Sequence, residues 1–121
     1  MMKIGFIGTG LMGLPMAKNL CKSGFKLKVF NRSINKAEPL KEFGAEISKT
    51  LGEVVKGNDF IITMLTDDGA VDAIMNNSDL LNNLKSGSTV IDMSSVKPTT
   101  ATKYGKSLKS KNVNYLDAPV S

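Results

Sequence analysis

The chain has 121 residues, 41% of them apolar and 22% charged, with a formal net charge of +5; this is the balance of one globular domain able to bury a core. No apolar run approaches the ~20 residues of a membrane span. The glycine-containing start Met1-Met2-Lys3-Ile4-Gly5-Phe6-Ile7-Gly8 does not read as a signal peptide, and the single cysteine, Cys21, excludes an internal disulfide framework, so a cytoplasmic location is expected.

Taken in chain order, Lys3–Ile7 is a short apolar run before Gly8, the pattern of a buried strand. Residues 11–23 carry Met12, Met16 and Leu20 near helical spacing, stop at Gly24 and tolerate Pro15 in the first turn. A second strand is expected at 27–30. A helix follows at 35–43, ended by Gly44 and with Pro39 obscuring its start, and then a short third strand at 45–48. Residues 51–56 read as a short helix closed by Gly57-Asn58. Residues 60–65 (FIITML) are a near-continuous apolar run, as in a strand covered on both faces. A helix at 68–75 with Val71, Ile74 and Met75 inward, a turn or short helix at 80–84 and a strand at 89–93 come next. A helix from Pro98 to about residue 109 and a last strand at 114–116 complete the chain. Strands separated by helices of this length call for right-handed crossovers and a parallel sheet. The expected fold class is α/β, a Rossmann-like doubly wound sheet with strand order 3-2-1-4-5-6 and helices on both faces.

The chemistry-bearing motifs lie where strands end. Gly8-Thr9-Gly10-Leu11-Met12-Gly13 matches G-x-G-x-x-G between a strand and a helix, the context that makes this pattern a phosphate cradle. Gly8 allows the tight turn, Gly10 lets a pyrophosphate approach the backbone, and Gly13 lets the helix lie close on the strand. The helix start then offers free N–H groups and a positive dipole end. After the second strand comes Asn31-Arg32-Ser33, where an NAD site usually carries an acid for the ribose 2′-OH. Arg32 is the lone arginine beside 15 lysines; its planar fork suits a 2′-phosphate, with Asn31 and Ser33 as further donors, so NADP is expected over NAD. Met64-Leu65-Thr66-Asp67-Asp68 ends the fourth strand and borders the crevice. Asp92-Met93-Ser94-Ser95-Val96-Lys97-Pro98 ends the fifth, where Ser94 or Ser95 would either bond the nicotinamide end or substrate, or cap the next helix. With no histidine, a Ser-His triad, a histidine base and a histidine-ligated metal are excluded. The positive charge is scattered and the aromatics number two tyrosines and five phenylalanines, so neither nucleic acid nor a membrane surface is expected as partner.

Together these segments resemble the β-hydroxyacid dehydrogenase family, which includes 3-hydroxyisobutyrate dehydrogenase and tartronate semialdehyde reductase. IGFIGTGLMGLPMAKNL is similar to that family's glycine-rich signature. Met64-Leu65-Thr66 resembles its M-L-P segment with Thr66 in place of proline, the 92–98 segment resembles D-x-S-[ST]-x-x-P, and Asp117-Ala118-Pro119-Val120-Ser121 resembles the start of D-A-P-V-S-G-G. The resemblance covers the whole chain. It implies that Gly8, Thr9, Gly10, Leu11, Met12, Gly13, Asn31, Arg32, Ser33, Met64, Leu65, Thr66 and Ser95 touch the cofactor and that Ser121 touches the substrate carboxylate. It further implies that residues 1–121 form an NAD(P)-binding domain without the helical substrate domain that follows in the family. The family's acid/base lysine lies in that later part, so none of the lysines present, Lys97 included, is assigned a catalytic role. The expected function is the NADP-binding half of an enzyme that moves a hydride between nicotinamide and a small 3-hydroxy acid, with homo-oligomerisation expected. The alternatives are a non-catalytic NADP-binding module, or the cofactor domain of a 6-phosphogluconate dehydrogenase-like or imine reductase-like enzyme.

Overall fold

A strand whose successive side chains are all buried must lie within a sheet covered on both faces. The computed structural model, which describes residues 2–8 and 13–118, has two such strands at its centre. In β1 (Lys3–Ile7), Ile4 and Phe6 pack to one side and Ile7 to the other. In β4 (Phe60–Thr63), Ile61 and Ile62 divide in the same way. Around them lie β2 (Lys26–Phe30), β3 (Glu46–Ile47), β5 (Thr89–Asp92) and β6 (Asn114–Asp117). All pairings are parallel and the order is β3-β2-β1-β4-β5-β6, the doubly wound arrangement read from the sequence.

Each face is covered by one stretch of chain. Helix α1 (Gly13–Lys22), α2 (Ile34–Ala37) and the 3-10 segment Glu38–Phe43 bring Ala17, Ala37 and Leu40 onto Ile4, Phe6, Leu27 and Val29. On the other face, α3 (Leu51–Val55), α4 (Asp68–Met75), α5 (Ser78–Asn83) and α6 (Pro98–Lys109) supply Val54, Val71, Leu80 and Leu108 against Ile7, Ile61 and Val90. Each fully buried aliphatic here contributes about 1.5–3 kcal/mol. The α1 face thins toward β6, where Leu116, the register partner of Ile91, is 54% exposed. No helix among the described residues is long and apolar enough to cross a membrane.

Three local departures from the expected elements have physical causes. The single helix expected at 35–43 is two pieces, because Pro39 has no N–H for an α-helical bond and the chain tightens into 3-10 geometry; Gly44 then ends it at φ +94. The strand expected at 60–65 stops at Thr63, since the N–H of Leu65 goes to the Ser94 side chain rather than to a neighbouring strand. The strand expected at 89–93 likewise stops at Asp92. Helices α4 and α6 meet across a polar seam. Asp68 accepts from the Lys97 N–H (3.1 Å) and the Thr100 hydroxyl (2.7 Å), while Tyr104 donates to Asp72 and accepts from Asn76 Nδ2 (3.1 Å).

Candidate functional site

In a parallel sheet the carboxyl ends of the strands and the amino ends of the following helices share one edge, and the crevice opens where strand order reverses. Here that point is between β1, which leads to β2 on one side, and β4 on the other. The edge is knit by backbone bonds one step past the strands: Gly8 N–H to Phe30 O (2.9 Å), Met64 N–H to Ile7 O (2.9 Å) and Met93 N–H to Thr63 O (2.8 Å).

Gly8 sits at φ +97, and a Cβ there would collide with the Met64 carbonyl and come within 3.0 Å of Leu65 Cδ2. At Gly13 a Cβ would lie 2.5 Å from the Gly8 carbonyl oxygen and 3.4 Å from the Phe6 ring. Both glycines are therefore required by close approach: β4's end presses on the first, and the start of α1 presses on β1 through the second. Thr9, Gly10, Leu11 and Met12, between them, lie outside the described residues, as does Ser121.

Beyond β2, Asn31 Nδ2 donates to the Ser33 carbonyl (2.8 Å) and closes the turn. Arg32 and Ser33 are exposed, and Arg32 joins no ion pair among the described residues. Beyond β4, Met64 and Leu65 are half-buried and Thr66 is exposed. Asp67 caps α4 by accepting from Ala70 N–H (2.8 Å).

The end of β5 is built differently. Asp92 is wholly buried. Its Oδ1 accepts from the Thr63 hydroxyl (3.0 Å) and the Ser94 N–H (3.0 Å), and its Oδ2 from the Tyr115 hydroxyl (2.7 Å). Burial, with Asp92 as acceptor, pushes the Tyr115 hydroxyl far above the usual tyrosine range. Ser94, also buried, accepts from Leu65 N–H (2.8 Å). Ser94 is therefore not the cap of the following helix: it ties β5's end to β4's, and the start of α6 is held instead by Asp68. The Thr100 hydroxyl, and after it the Lys97 N–H, hold the Asp68 carboxyl below its ordinary range. Ser95 is exposed at the rim.

The structure thus brings Gly8, Gly13, Met64 and Leu65 together at the order reversal, with Asn31, Arg32 and Ser33 on one flank and Thr66 and Ser95 on the other. Sequence reading missed Thr63, Asp92 and Tyr115 as a unit. The signal was there: a threonine and an acid each interrupt an otherwise apolar run, where an unpartnered polar group would be costly. A concavity of about 450 Å³ lined by Lys3, Lys26, Lys28 and Lys56 opens at the opposite edge. One of these lysines offsets a helix C-terminus: Lys28 Nζ donates to the Glu53 carbonyl of α3 (3.5 Å). Among the described residues no group of three or more His, Cys, Asp or Glu is arranged to hold a metal.

Residues 3–121 match the family described as the NAD binding domain of 6-phosphogluconate dehydrogenase. Glyoxylate/succinic semialdehyde reductase 1 of Arabidopsis thaliana is 36% identical over 121 residues, covering 99% of this chain and 42% of that protein. The structure of a Mycobacterium tuberculosis 3-hydroxyisobutyrate dehydrogenase with L-serine superposes with a TM-score of 0.92 at 30% identity, over 100% of this chain and 41% of that one. An imine reductase from Myxococcus stipitatus in complex with NADP+ superposes at 0.86 with 26% identity, over 95% and 39%. The chain spans about two-fifths of the length of these relatives.

Proposed function

Because this chain belongs to the NAD-binding domain family of 6-phosphogluconate dehydrogenase, we propose that it binds NADP(H) across the carboxyl ends of β2, β1, β4 and β5, as the cofactor half of a 3-hydroxyacid dehydrogenase. The observation that carries this reading is the pair of glycines whose missing Cβ atoms admit Met64 and the start of α1. A glycine at each of these two positions is what a strand-to-helix cradle for a pyrophosphate needs.

On this reading Gly8, Thr9, Gly10, Leu11, Met12 and Gly13 hold the pyrophosphate. Arg32, with Asn31 and Ser33, takes the 2′-phosphate; it is exposed and joins no ion pair among the described residues, which leaves its fork available. Met64, Leu65, Thr66 and Ser95 border the nicotinamide, and Ser121 meets the substrate carboxylate. The bound cofactor supplies the hydride chemistry; the protein supplies orientation and charge placement. The substrate class is a small 3-hydroxy acid of the 3-hydroxyisobutyrate or tartronate semialdehyde type. The lysine that exchanges the hydroxyl proton lies in a helical domain outside residues 1–121. The working enzyme is a cytoplasmic homo-oligomer, and Leu116 on the thinly covered face is the residue to watch for self-association.

Calorimetric titration with NADPH and NADH tests the cofactor reading, with tighter NADPH expected. For turnover, NADPH formation is followed by absorbance with 3-hydroxyisobutyrate and glycerate, for residues 1–121 beside a longer chain carrying the helical domain. The short chain is expected to bind without turning over, since missing acid/base help alone costs ~10²–10⁴-fold. Comparable turnover by the short chain would place the acid/base within it. The likeness to an imine reductase bound to NADP+ favours a second reading, the cofactor domain of such an enzyme; a longer chain that reduces a cyclic imine and leaves hydroxy acids untouched would establish it. A longer chain that binds NADPH and turns over neither class would mark a non-catalytic module.

A further inference from the structure

We infer that Asp92 is a positioning residue for the nicotinamide half of the crevice, an inference that rests on the proposed cofactor reading. A wholly buried carboxyl that joins no ion pair among the described residues is a costly way to fill a strand end, and an apolar side chain would serve packing better. What Asp92 does, and an apolar residue cannot, is join three chain segments at one point. It takes Thr63 from β4, Tyr115 from β6 and the Ser94 N–H of its own turn. Through Ser94 it reaches β4 a second time, at the Leu65 N–H.

The segments fixed in this way are the Met64-Leu65-Thr66 strand extension and the turn that carries Ser95. That turn is anchored again at its far end, where Asp68 accepts from Lys97 N–H and Thr100. In a dinucleotide laid across the reversal of strand order, the adenine ribose falls beyond β2, where Arg32 lies, and the other half falls over β4 and β5. Asp92 lies beneath that second half and is fully buried, so it acts through the backbone it holds. At the β2 end the turn is closed by an amide, Asn31 Nδ2 donating to the Ser33 carbonyl.

The test separates the two halves of the ligand. NADPH and 2′-phospho-ADP-ribose, and in parallel NADH and ADP-ribose, are titrated into the parent chain, Asp92→Asn and Tyr115→Phe; each pair differs only by the nicotinamide. The amide keeps the shape of Asp92 but replaces one acceptor by a donor. The expected result is about a tenfold loss for the intact cofactor with Asp92→Asn and about threefold with Tyr115→Phe, with the ribose fragments bound as in the parent. A merely structural role lowers the melting temperature and weakens both members of a pair alike. Equal losses, or none, overturn the inference while leaving the cofactor reading intact. A parent that binds neither member of either pair overturns both. Tyr115→Phe, which keeps the ring and removes one donor, decides the matter alone should Asp92→Asn fail to fold.

Discussion

The two sides of the crevice are made by opposite means. On the β1–β2 side the geometry comes from what is absent: Gly8 and Gly13 have no Cβ, and the space that frees is filled by the Met64 carbonyl at the first and the Gly8 carbonyl at the second. On the β4–β5–β6 side the geometry comes from what is present, a buried carboxyl on which Thr63, Ser94 and Tyr115 converge. The difference follows from the ligand each side is proposed to hold. Phosphates are recognised by backbone N–H groups, which any side chain would obstruct. A flat ring that must be held at one angle needs walls whose position is fixed by side-chain bonds.

This contrast can be broken from either side. The largest effect is expected at the first glycine. Gly8→Ala puts a side chain at φ +97 and against the Met64 carbonyl, at a cost of about 3–5 kcal/mol in strain and overlap, read as a lower urea midpoint. Gly10→Val should instead abolish binding of both cofactors while leaving that midpoint near the parent's; retained NADPH affinity would mean the turn is not the phosphate site. Next comes Asp92→Leu, which leaves two hydroxyls and one N–H buried without an acceptor and should lose about 3 kcal/mol by the same measurement. Arg32→Ala should cost ~1.5–3 kcal/mol of NADPH binding, or ten- to hundredfold, with little change for NADH and none in the unfolding midpoint. Equal affinities of the parent for the two cofactors would sink that expectation.

The smallest effect concerns acid. The Asp68 carboxyl is held below its ordinary value of 3.8 by Thr100 and Lys97. A group depressed in the folded state contributes stability above its unfolded value, and that contribution is lost as pH falls through the folded one. Asp68 is half-buried and keeps part of its surface in water, so the slope is shallow. Asp68→Asn should lower the melting temperature slightly near neutrality, where the charged carboxyl contributes, and flatten its fall below about pH 4; an unaltered acid limb would show that the α4–α6 seam carries none of it.

Much of this was legible in the sequence, because local signals and tertiary demands coincide. The continuous apolar runs marked β1 and β4, Gly24 and Gly44 marked helix ends, and Asp68–Met75 and Pro98–Lys109 begin and end where cap and proline signals put them. What stayed illegible depends on meetings between distant residues. Ser94 offers a hydroxyl that serves equally as a cap, a ligand contact or a tie, and only the neighbouring Leu65 N–H decides among them. Tyr115 carries no local sign that its hydroxyl reaches 23 residues back to Asp92. Pro39 was legible as a disturbance, but not that the chain past it would stay wound in 3-10 form with Leu40 in the core.

The central strand has one more consequence, in the order of synthesis. β1 leaves the ribosome before the two strands that flank it, and its β2 edge is paired soon afterwards. Its other edge, however, waits for β4: the backbone bond from Asp59 N–H to Lys3 O, which opens that pairing, spans 56 residues. Until then Ile4, Phe6 and Ile7 stand beside an unfilled strand position, the kind of open apolar edge that recruits a wrong partner. Closing so long a loop is slow compared with forming the helices on either side. The strand that anchors the finished crevice is thus the one most exposed while the chain is being made.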